Sequence, residues 1–342
     1  MAFKRTKKPK TSAPRKRKIF LLRGALLFGA TTFLCAGGVI GVGWHDYTRP
    51  GPLPTGQDIV VPHGGYGSTA SVLQNNGVLQ NDWWHGVLFH VAVVLTRHNG
   101  QLHAAELHFP TGVSLQETLW ILRHAKPVLH RLTIPEGLTA SQIRSLITNA
   151  PFLTGETPTL PEGSVLPQTY SYLRDSSRQA LVEQMALRLR TVLQNIWQGR
   201  APDETDIHTP EELLVLASLV EKETGVADER PLIARVFLNR LAAGMKLQTD
   251  PTVIYAVTHG NPPLGRPLTH TDLQTPSPYN TYQNTGLPPG PICAPGTQAL
   301  EAAAHPAQSD ALYFVANGTG GHNFAKTLSE HNQNVAQFRK KH

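Results

Sequence analysis

Two glutamates at the end of an apolar stretch are the residues of this chain best suited to acid–base chemistry. Residues 213–220 are apolar at nearly every position, and Glu221 and Glu223 follow directly. A carboxyl group held where water is scarce has a raised pKa, and it can donate a proton near neutral pH. Cleavage of a glycosidic bond requires such a proton donor.

Helical spacing separates the two glutamates. Glu221 continues the apolar face of the helix, whereas Glu223 points about 200° away from it. We therefore do not expect them to act as a paired acid and base, and Glu221 is the preferred catalytic candidate. Spacing alone slightly favours another role, a structural ion pair with Arg230, Arg235 or Arg240, because buried ion pairs perturb carboxylates as often as active sites do.

The neighbouring elements could enclose this carboxylate. Thr209-Pro210-Glu211-Glu212 is a strong helix start. Residues 228–244 predict a second helix with an apolar stripe, and a short polar loop follows it. The two helices and the loop could form a cleft around Glu221. Loop side chains that could hydrogen-bond sugar hydroxyls are those of Gln248, Thr249 and Asp250.

The beginning of the chain has the pattern of a membrane anchor. Residues 1–18 hold nine Lys or Arg and no acid, whereas residues 24–342 hold 21 basic and 24 acidic residues. The basic character therefore belongs to a tail and not to a nucleic-acid-binding face. Gly24 to Trp44 carries no charge and is long enough to span a bilayer. We expect a transmembrane helix over residues 19–45 with the basic tail in the cytoplasm, and a cleaved signal peptide is the alternative.

The rest of the chain predicts an α+β protein in two parts. A Pro/Gly-rich linker over residues 46–58 precedes a strand–helix–helix–strand pattern over residues 59–130, which resembles a glycan-binding LysM module. Residues 131–342 form the larger part, with the glutamates on a buried helix. Cys35 and Cys293 lie far apart in the sequence, and we expect no disulfide between them.

Motifs spread over the chain resemble one family, the endolytic murein transglycosylases of the MltG (YceG-like) type. The most specific run lies between residues 220 and 255, VEKETG, ERPLIARVFLNRL and GMKLQTDPTVIY. Other matching stretches, in order, are LTIPEG at 132–137, EG at 162–163, LPQTY at 166–170, PYNTY at 278–282, GLPPGPI at 286–292, YFVA at 313–316 and GGHNF at 320–324. The chain departs from the family pattern at three places. Gln168 stands where an Asp is usual, Ala104–Leu107 replaces a more typical AGEY, and Cys293–Gly296 replaces a segment that often has Asn before the Pro.

The resemblance implies a lytic transglycosylase that uses one carboxyl group and no metal or cofactor. Glu221 would protonate the bond between MurNAc and GlcNAc, and it would then activate the MurNAc C6 hydroxyl to close a 1,6-anhydro ring. The glycan-binding candidates are Gln248, Thr249, Asp250, Tyr279, Asn280 and Tyr282. His322 could also belong to the site, although a turn-stabilising role is the simpler expectation for it. The alternatives are a muramidase that uses water, with Asp250 as its second carboxylate, and a non-catalytic glycan-binding scaffold.

The implied location is the inner membrane, with one span, a cytoplasmic N-terminus and a periplasmic catalytic domain. The implied partners are peptidoglycan glycan strands and the inner membrane, with peptidoglycan synthases as further candidates and no nucleic acid. A cut in newly polymerised strands beside the membrane could terminate their elongation.

Overall fold

Among the described residues, helices alternate with three short antiparallel sheets, which confirms the predicted α+β class. The computed structural model describes residues 15–200, 207–261 and 264–341, with side chains from residue 29 to residue 340. Contacts divide the chain into two units, Met1–Val128 and Leu129–His342. Each two-stranded sheet belongs to one unit.

In the described part of the first unit, one sheet accompanies four α-helices and one short 3₁₀ helix. Its elements are α1 (Arg15–Thr48), β1 (Gln57–Val60), α2 (Tyr66–Asn75), α3 (Trp83–Leu95), β2 (Glu106–Phe109) and α4 (Leu115–His124). Strands β1 and β2 pair antiparallel with Gln57 opposite Phe109, so the predicted strand–helix–helix–strand order is confirmed. Phe89, Leu107 and Phe109 are fully buried in the core of this unit.

The described part of the chain contains no helix that is long and apolar enough to cross a membrane. The predicted span over residues 19–45 coincides with part of α1, but the side chains of residues 15–28 lie outside the described set. Residues 1–14 of the predicted basic tail lie outside the described residues altogether. The transmembrane helix therefore stays a prediction.

The second unit surrounds one central helix. Its elements are β3 (His130–Thr133), α5 (Ala140–Asn149), β4 (Thr169–Tyr172), α6 (Arg178–Gly199), α7 (Pro210–Glu223), α8 (Arg230–Ala242), α9 (Asp250–Thr258), α10 (Thr297–Ala304), β5 (Tyr313–Ala316), β6 (His322–Ala325) and α11 (Leu328–Lys341). Helix α7 contacts α6, α8, α9 and α10. Leu216, Ala217, Leu219 and Val220 of α7 are completely buried.

Helix α7 begins and ends where its sequence predicts. The Thr209 side chain accepts a hydrogen bond from the Glu212 backbone N–H, and the Glu212 carboxylate accepts one from the Thr209 N–H. This reciprocal capping satisfies two donors that a helix start leaves free. The helix ends at Glu223, with Thr224 as its C-cap. Both glutamates of interest therefore lie in its last turn, at the edge of the buried core.

The polar loop is shorter than expected. Asp250 is already the first residue of α9, and Pro251 lies in the first helical turn, where its missing N–H costs nothing. Gln248 holds a positive φ of 53° just before the helix. The chain therefore turns sharply at residues 248–249, and this turn fixes the direction of the Thr249 side chain.

Candidate active site

Glu223 is largely shielded from solvent beside the turn that precedes α9. Its Oε2 accepts a hydrogen bond from the Thr249 hydroxyl at an Oγ1–Oε2 distance of 2.7 Å. Burial raises the pKa of Glu223, the Thr249 hydrogen bond and the charge of His322 lower it, and the carboxylate of Asp250 raises it again. The net direction is upward. Glu223 can therefore retain a proton at a pH where an exposed glutamate has lost its own.

Residues of the Tyr279–Tyr282 segment hold the turn in place. The Gln248 N–H donates to the Thr281 carbonyl at 3.2 Å, and the Thr249 N–H donates to the Thr281 hydroxyl at 3.1 Å. The Tyr282 hydroxyl donates to Asp250 Oδ1 at 2.6 Å. Burial, reinforced by Asp250, raises the pKa of this tyrosine, so it stays a donor. Thr249, Asp250 and Tyr282 thus gather beside Glu223.

Two other predicted binding residues, Tyr279 and Asn280, make contacts with parts of the chain other than Glu223. Asn280 is fully buried, and its amide donates to the carbonyls of Leu273 at 3.1 Å and Thr275 at 2.9 Å. Tyr279 packs on Tyr255, with ring centroids 4.8 Å apart. Asn280 therefore shapes the loop from inside, and Tyr279 belongs to an aromatic pair.

That aromatic pair borders a second buried carboxyl group. Burial raises the pKa of Glu162, which accepts hydrogen bonds from the Ala140 N–H and from the Tyr255 hydroxyl. Tyr279 interacts electrostatically with the same carboxyl group. Glu162 belongs to the EG motif at residues 162–163.

Glu221 occupies a third environment. Its Oε2 accepts a hydrogen bond from the Gly296 N–H at 3.0 Å, and Gly137 lies against its side chain. Burial raises the pKa of Glu221, the Gly296 N–H lowers it, and the negative charge of Glu136 raises it. Glu221 is therefore also a perturbed acid, but its neighbours come from the 136–137 turn and the 292–296 loop.

The expected ion pairs with two of the three arginines are not formed among the described residues. Arg230 donates from Nη1 to Gln298 Oε1. Arg240 donates to the carbonyls of Leu312 at 2.7 Å and Leu247 at 2.8 Å. Both guanidinium groups are thus occupied by neutral oxygens and act on the glutamates only through their charge.

Glu229 and His322 form a pair that no sequence pattern predicts as a unit. Glu229 accepts from the His322 N–H at 2.8 Å, and its Oε2 lies 2.8 Å from His322 Nδ1. Burial alone would raise the pKa of Glu229, but these hydrogen bonds hold it below its ordinary value. The pair joins the start of α8 to β6. It also places the imidazole near Glu223, whose carboxylate His322 stabilises.

The described residues contain no cluster of three His, Cys, Asp or Glu side chains arranged as metal ligands. The site consists of carboxyl side chains surrounded by hydrogen-bond donors. A buried carboxyl group with a raised pKa, next to a hydroxyl, a phenol and a second carboxylate, can transfer a proton to a bound oxygen and take one back.

Two curated proteins are similar to part of this chain. An endolytic murein transglycosylase of Bacillus subtilis is 41% identical over 174 residues, which cover 50% of this chain and 46% of that protein. An endolytic murein transglycosylase of Streptococcus pneumoniae is 33% identical over 255 residues, 62% of this chain and 45% of that protein. The chain thus spans about half the length of the curated relatives it matches.

A solved structure resembles most of the chain. A YceG-like protein of Listeria monocytogenes superposes with a TM-score of 0.50 at 28% sequence identity, covering 82% of this chain and 98% of that one. The YceG-like family matches residues 59–337, which cover parts of both units and all the site residues described above. The chain belongs to the YceG-like family.

Proposed function

We propose that this protein is a lytic transglycosylase that cuts peptidoglycan glycan strands internally. The observation that carries the proposal is Glu223, a carboxyl group with a raised pKa that is bonded to Thr249 and flanked by Asp250 and Tyr282. The names of the curated relatives support the same activity. The substrate is the β-1,4 bond between MurNAc and GlcNAc.

Glu223 is the acid that the geometry favours, although the sequence pattern favours Glu221. The predicted glycan contacts Thr249 and Asp250 lie beside Glu223, whereas Glu221 faces the backbone of Gly296 and the side chain of Glu136. If these contacts hold the sugar, the proton must come from the carboxyl group next to them. Glu221 stays the alternative acid.

The proposed reaction needs one carboxyl group in two roles. Protonated Glu223 gives its proton to the glycosidic oxygen, the bond from that oxygen to MurNAc C1 breaks, and GlcNAc leaves with a free 4-hydroxyl. The resulting carboxylate then takes the proton of the MurNAc C6 hydroxyl, whose oxygen attacks C1. A 1,6-anhydro ring forms, Glu223 is protonated again, and no water is consumed.

Asp250 also makes a hydrolytic route conceivable, because it supplies a second carboxylate next to Glu223. A muramidase would use that carboxylate to activate water or as a nucleophile. The Tyr282 hydroxyl, however, already donates to Asp250 at 2.6 Å. This hydrogen bond occupies one carboxylate oxygen and fixes the side chain in position, which favours a role in orienting the sugar, so the transglycosylase is the preferred function.

The location and the domain roles belong to the same proposal. We place residues 1–18 in the cytoplasm, a single inner-membrane helix at residues 19–45, a linker at residues 46–58, and the rest in the periplasm. The βααβ part within residues 59–130 is a LysM-like module that holds glycan, and residues 131–342 are catalytic. Nascent strands are then the nearest substrate, and their cleavage ends elongation beside peptidoglycan synthases.

The test compares Glu223→Gln with Glu221→Gln on nascent uncrosslinked glycan and on purified sacculi. Loss of one acid–base group should slow cleavage by about 10²–10⁴-fold, and we expect this loss for Glu223→Gln. Mass analysis of the products should show ends that are one water lighter than reducing ends. A large loss for Glu221→Gln alone would move the acid to Glu221.

Two other results would contradict the proposed function and favour one of the alternatives. Products with reducing ends would indicate a muramidase. Glycan binding without any cleavage by the unmodified protein would indicate a scaffold. Thermal unfolding of both variants, measured in parallel, shows whether a loss of activity comes from a loss of fold.

A further inference from the structure

Helix α3 is apolar on both its inner and its outer face. Phe89, Ala92 and Val93 pack inward into the core of the first unit. The exposed outer side chains are Trp83, Val87, Val91, Val94 and Leu95. A surface helix in water normally carries polar residues on its outer side. Water is therefore an unfavourable environment for this face of α3.

The same is true of the described part of α1. Every residue from 29 to 42 is exposed, and no charged residue occurs there before Asp46. The large exposed side chains here are Phe33, Leu34, Val39, Ile40, Val42 and Trp44. A helix that is apolar all round needs an apolar surrounding. Helix α1 contacts α3 and α4, and these contacts leave residues 29–42 exposed.

The two helices meet, so that their apolar faces form one surface. Trp84 Nε1 donates to Asp46 Oδ2 at 2.9 Å, and Leu88 lies against Gly43. Between the helices runs a groove of about 600 Å³. Its lining includes Val39 and Ile40 from α1 and Val87, Val91 and Leu95 from α3. We call this the α1–α3 surface.

Polar groups of α3 are turned away from this surface or satisfied within the helix. His85 is buried, and its Nδ1 lies 2.9 Å from Asp82. His90 Nδ1 lies 2.9 Å from the carbonyl of Gly86 in its own helix. Residues 83–96 contain no Asp, Glu, Lys or Arg. The outer face of α3 can therefore enter an apolar medium without burying an unpaired charge.

Aromatic residues mark one end of the α1–α3 surface. Trp44 and Tyr47 lie together at the end of α1, with ring centroids 5.9 Å apart, and Trp83 lies against Trp84 at the start of α3. Trp and Tyr side chains are enriched where a membrane meets water, because their rings are apolar and their N–H or O–H groups are polar. The cluster is typical of a membrane–water boundary.

We propose that the outer face of α3 lies in the lipid bilayer surface beside α1, as a second membrane contact of the first unit. The occupant of the groove is the headgroup–acyl boundary of the phospholipids. From Trp83 to Leu95 the helix is about 18 Å long, and interfacial helices enter lipid to a depth of about 5–10 Å. The inference rests on the membrane anchor within the proposed function.

A second membrane contact would fix the orientation of the first unit relative to the membrane. One helix that leaves the bilayer through a linker would let the first unit rotate freely above the membrane. A second contact on α3, fixed to α1 through the Trp84–Asp46 hydrogen bond, removes that freedom. The βααβ part would then present the same side to the membrane at all times.

The test places an environment-sensitive fluorophore on single cysteines of the full chain. Cys35→Ala removes the exposed thiol, and Cys293 can stay because it is fully buried and burial raises its pKa. Three valines of similar exposure are then replaced one at a time by cysteine, Val91 (46%), Val42 (54%) and Val60 (43%). Each labelled protein is reconstituted into phosphatidylcholine–phosphatidylglycerol vesicles with and without brominated acyl chains.

Bromine quenches only a fluorophore that touches lipid. We expect brominated lipid to lower the emission at Val91 roughly twofold or more, as for a group a few ångströms inside the acyl boundary, and to leave Val60 unchanged. Equal, weak quenching at Val91 and Val60 would overturn the proposal. A second protein copy over the groove would give that result, since it would keep lipid away.

The Val42 position reports on the anchor separately. Quenching at Val42 without quenching at Val91 means that α1 is in the membrane and the α3 contact is wrong. Absence of quenching at Val42 rejects the anchor, and the Val91 signal still decides whether α3 touches lipid. Glycan cleavage is measured on the unmodified protein, so that a failure of the proposed activity is distinguished from a failure of the α3 contact.

Discussion

Thr249 donates its hydroxyl hydrogen to Glu223 across a 2.7 Å Oγ1–Oε2 distance, and this bond joins the turn before α9 to the last turn of α7. Thr249 is itself 2% exposed, and its N–H is bonded to the Thr281 hydroxyl. The donor is therefore fixed in position. It stabilises the carboxylate form of Glu223 against the burial that opposes it.

Removal of that donor should shift the pH dependence of cleavage. A general acid works while it is protonated, so activity falls as pH rises through the pKa of Glu223. Thr249→Val removes a hydrogen bond that lowers this pKa. The alkaline limb of the kcat/KM profile should therefore move to higher pH.

Thr249→Ser is the matched control, because it keeps the hydroxyl and should restore the original limb. An unchanged limb in Thr249→Val would show that Glu223 is not the titrating acid. Both variants also need a stability measurement, since leaving a buried polar partner unsatisfied costs about 1–3 kcal/mol.

Glu223 should also make the protein less stable as the pH rises. Burial raises its pKa in the folded chain above the value in the unfolded chain. Its contribution to stability is then fully present below the unfolded pKa and is lost as the pH rises through the folded pKa, at about 1.4 kcal/mol for each unit of difference. Glu223→Gln should flatten this dependence and raise the free energy of unfolding at neutral pH.

Urea unfolding at a series of pH values from acidic to neutral measures this effect. Glu211→Gln is the control, because Glu211 is exposed at the start of the same helix. A catalytic residue that lowers stability while it supports activity is the expected pattern at an active site. Equal pH dependence in the Glu223→Gln variant and the unmodified protein would contradict the burial of this charge.

Local signals explain why the elements could be predicted. The capping box at Thr209 places the start of α7 at the predicted residue. The strand–helix–helix–strand pattern predicted over residues 59–130 appears as β1, α2, α3 and β2. Such signals act over three or four positions, so they are readable from one sequence.

The site depends on contacts between distant residues, and these are only partly predictable. Glu229 and His322 lie 93 positions apart, and no local pattern joins them. The sequence predicts the turn at Thr249 beside Glu221, but the turn faces Glu223, because the direction of α9 is set by the Thr281 segment. Helical spacing predicts the direction of each glutamate side chain, but it does not predict which loop packs against that side chain.

The Glu229–His322 pair should stabilise the start of α8 against β6. Glu229 accepts both the backbone N–H and the ring of His322. His322→Ala and Glu229→Ala should each lower the free energy of unfolding, and the double variant should show a coupling energy of about 1–3 kcal/mol. Because His322 stabilises the Glu223 carboxylate by its charge, His322→Ala should also move the alkaline limb of activity to higher pH. Strict additivity of the two losses would contradict the pairing.

Gly163 should tolerate no side chain, because it combines a left-handed backbone with a close contact. Its φ is +65°, and a Cβ atom there would lie 2.7 Å from the ring of Pro291. Gly163→Ala should therefore lower the free energy of unfolding by about 1–2 kcal/mol, because alanine disfavours the left-handed conformation. The clash with Pro291 should lower it by about 1–3 kcal/mol more.

The loop that contains Pro291 also carries Gly296, the donor to Glu221. The clash at Gly163 consequently tests how closely the Glu162–Gly163 turn is packed against that loop. Gly155 is the matched control, because its φ is +76° and no described atom lies within 4 Å of the position that its Cβ would take. Gly155→Ala should therefore cost only the backbone share. Denaturant unfolding of the two variants measures the difference between their losses of unfolding free energy. Equal losses would show that Pro291 moves aside without destabilising the fold.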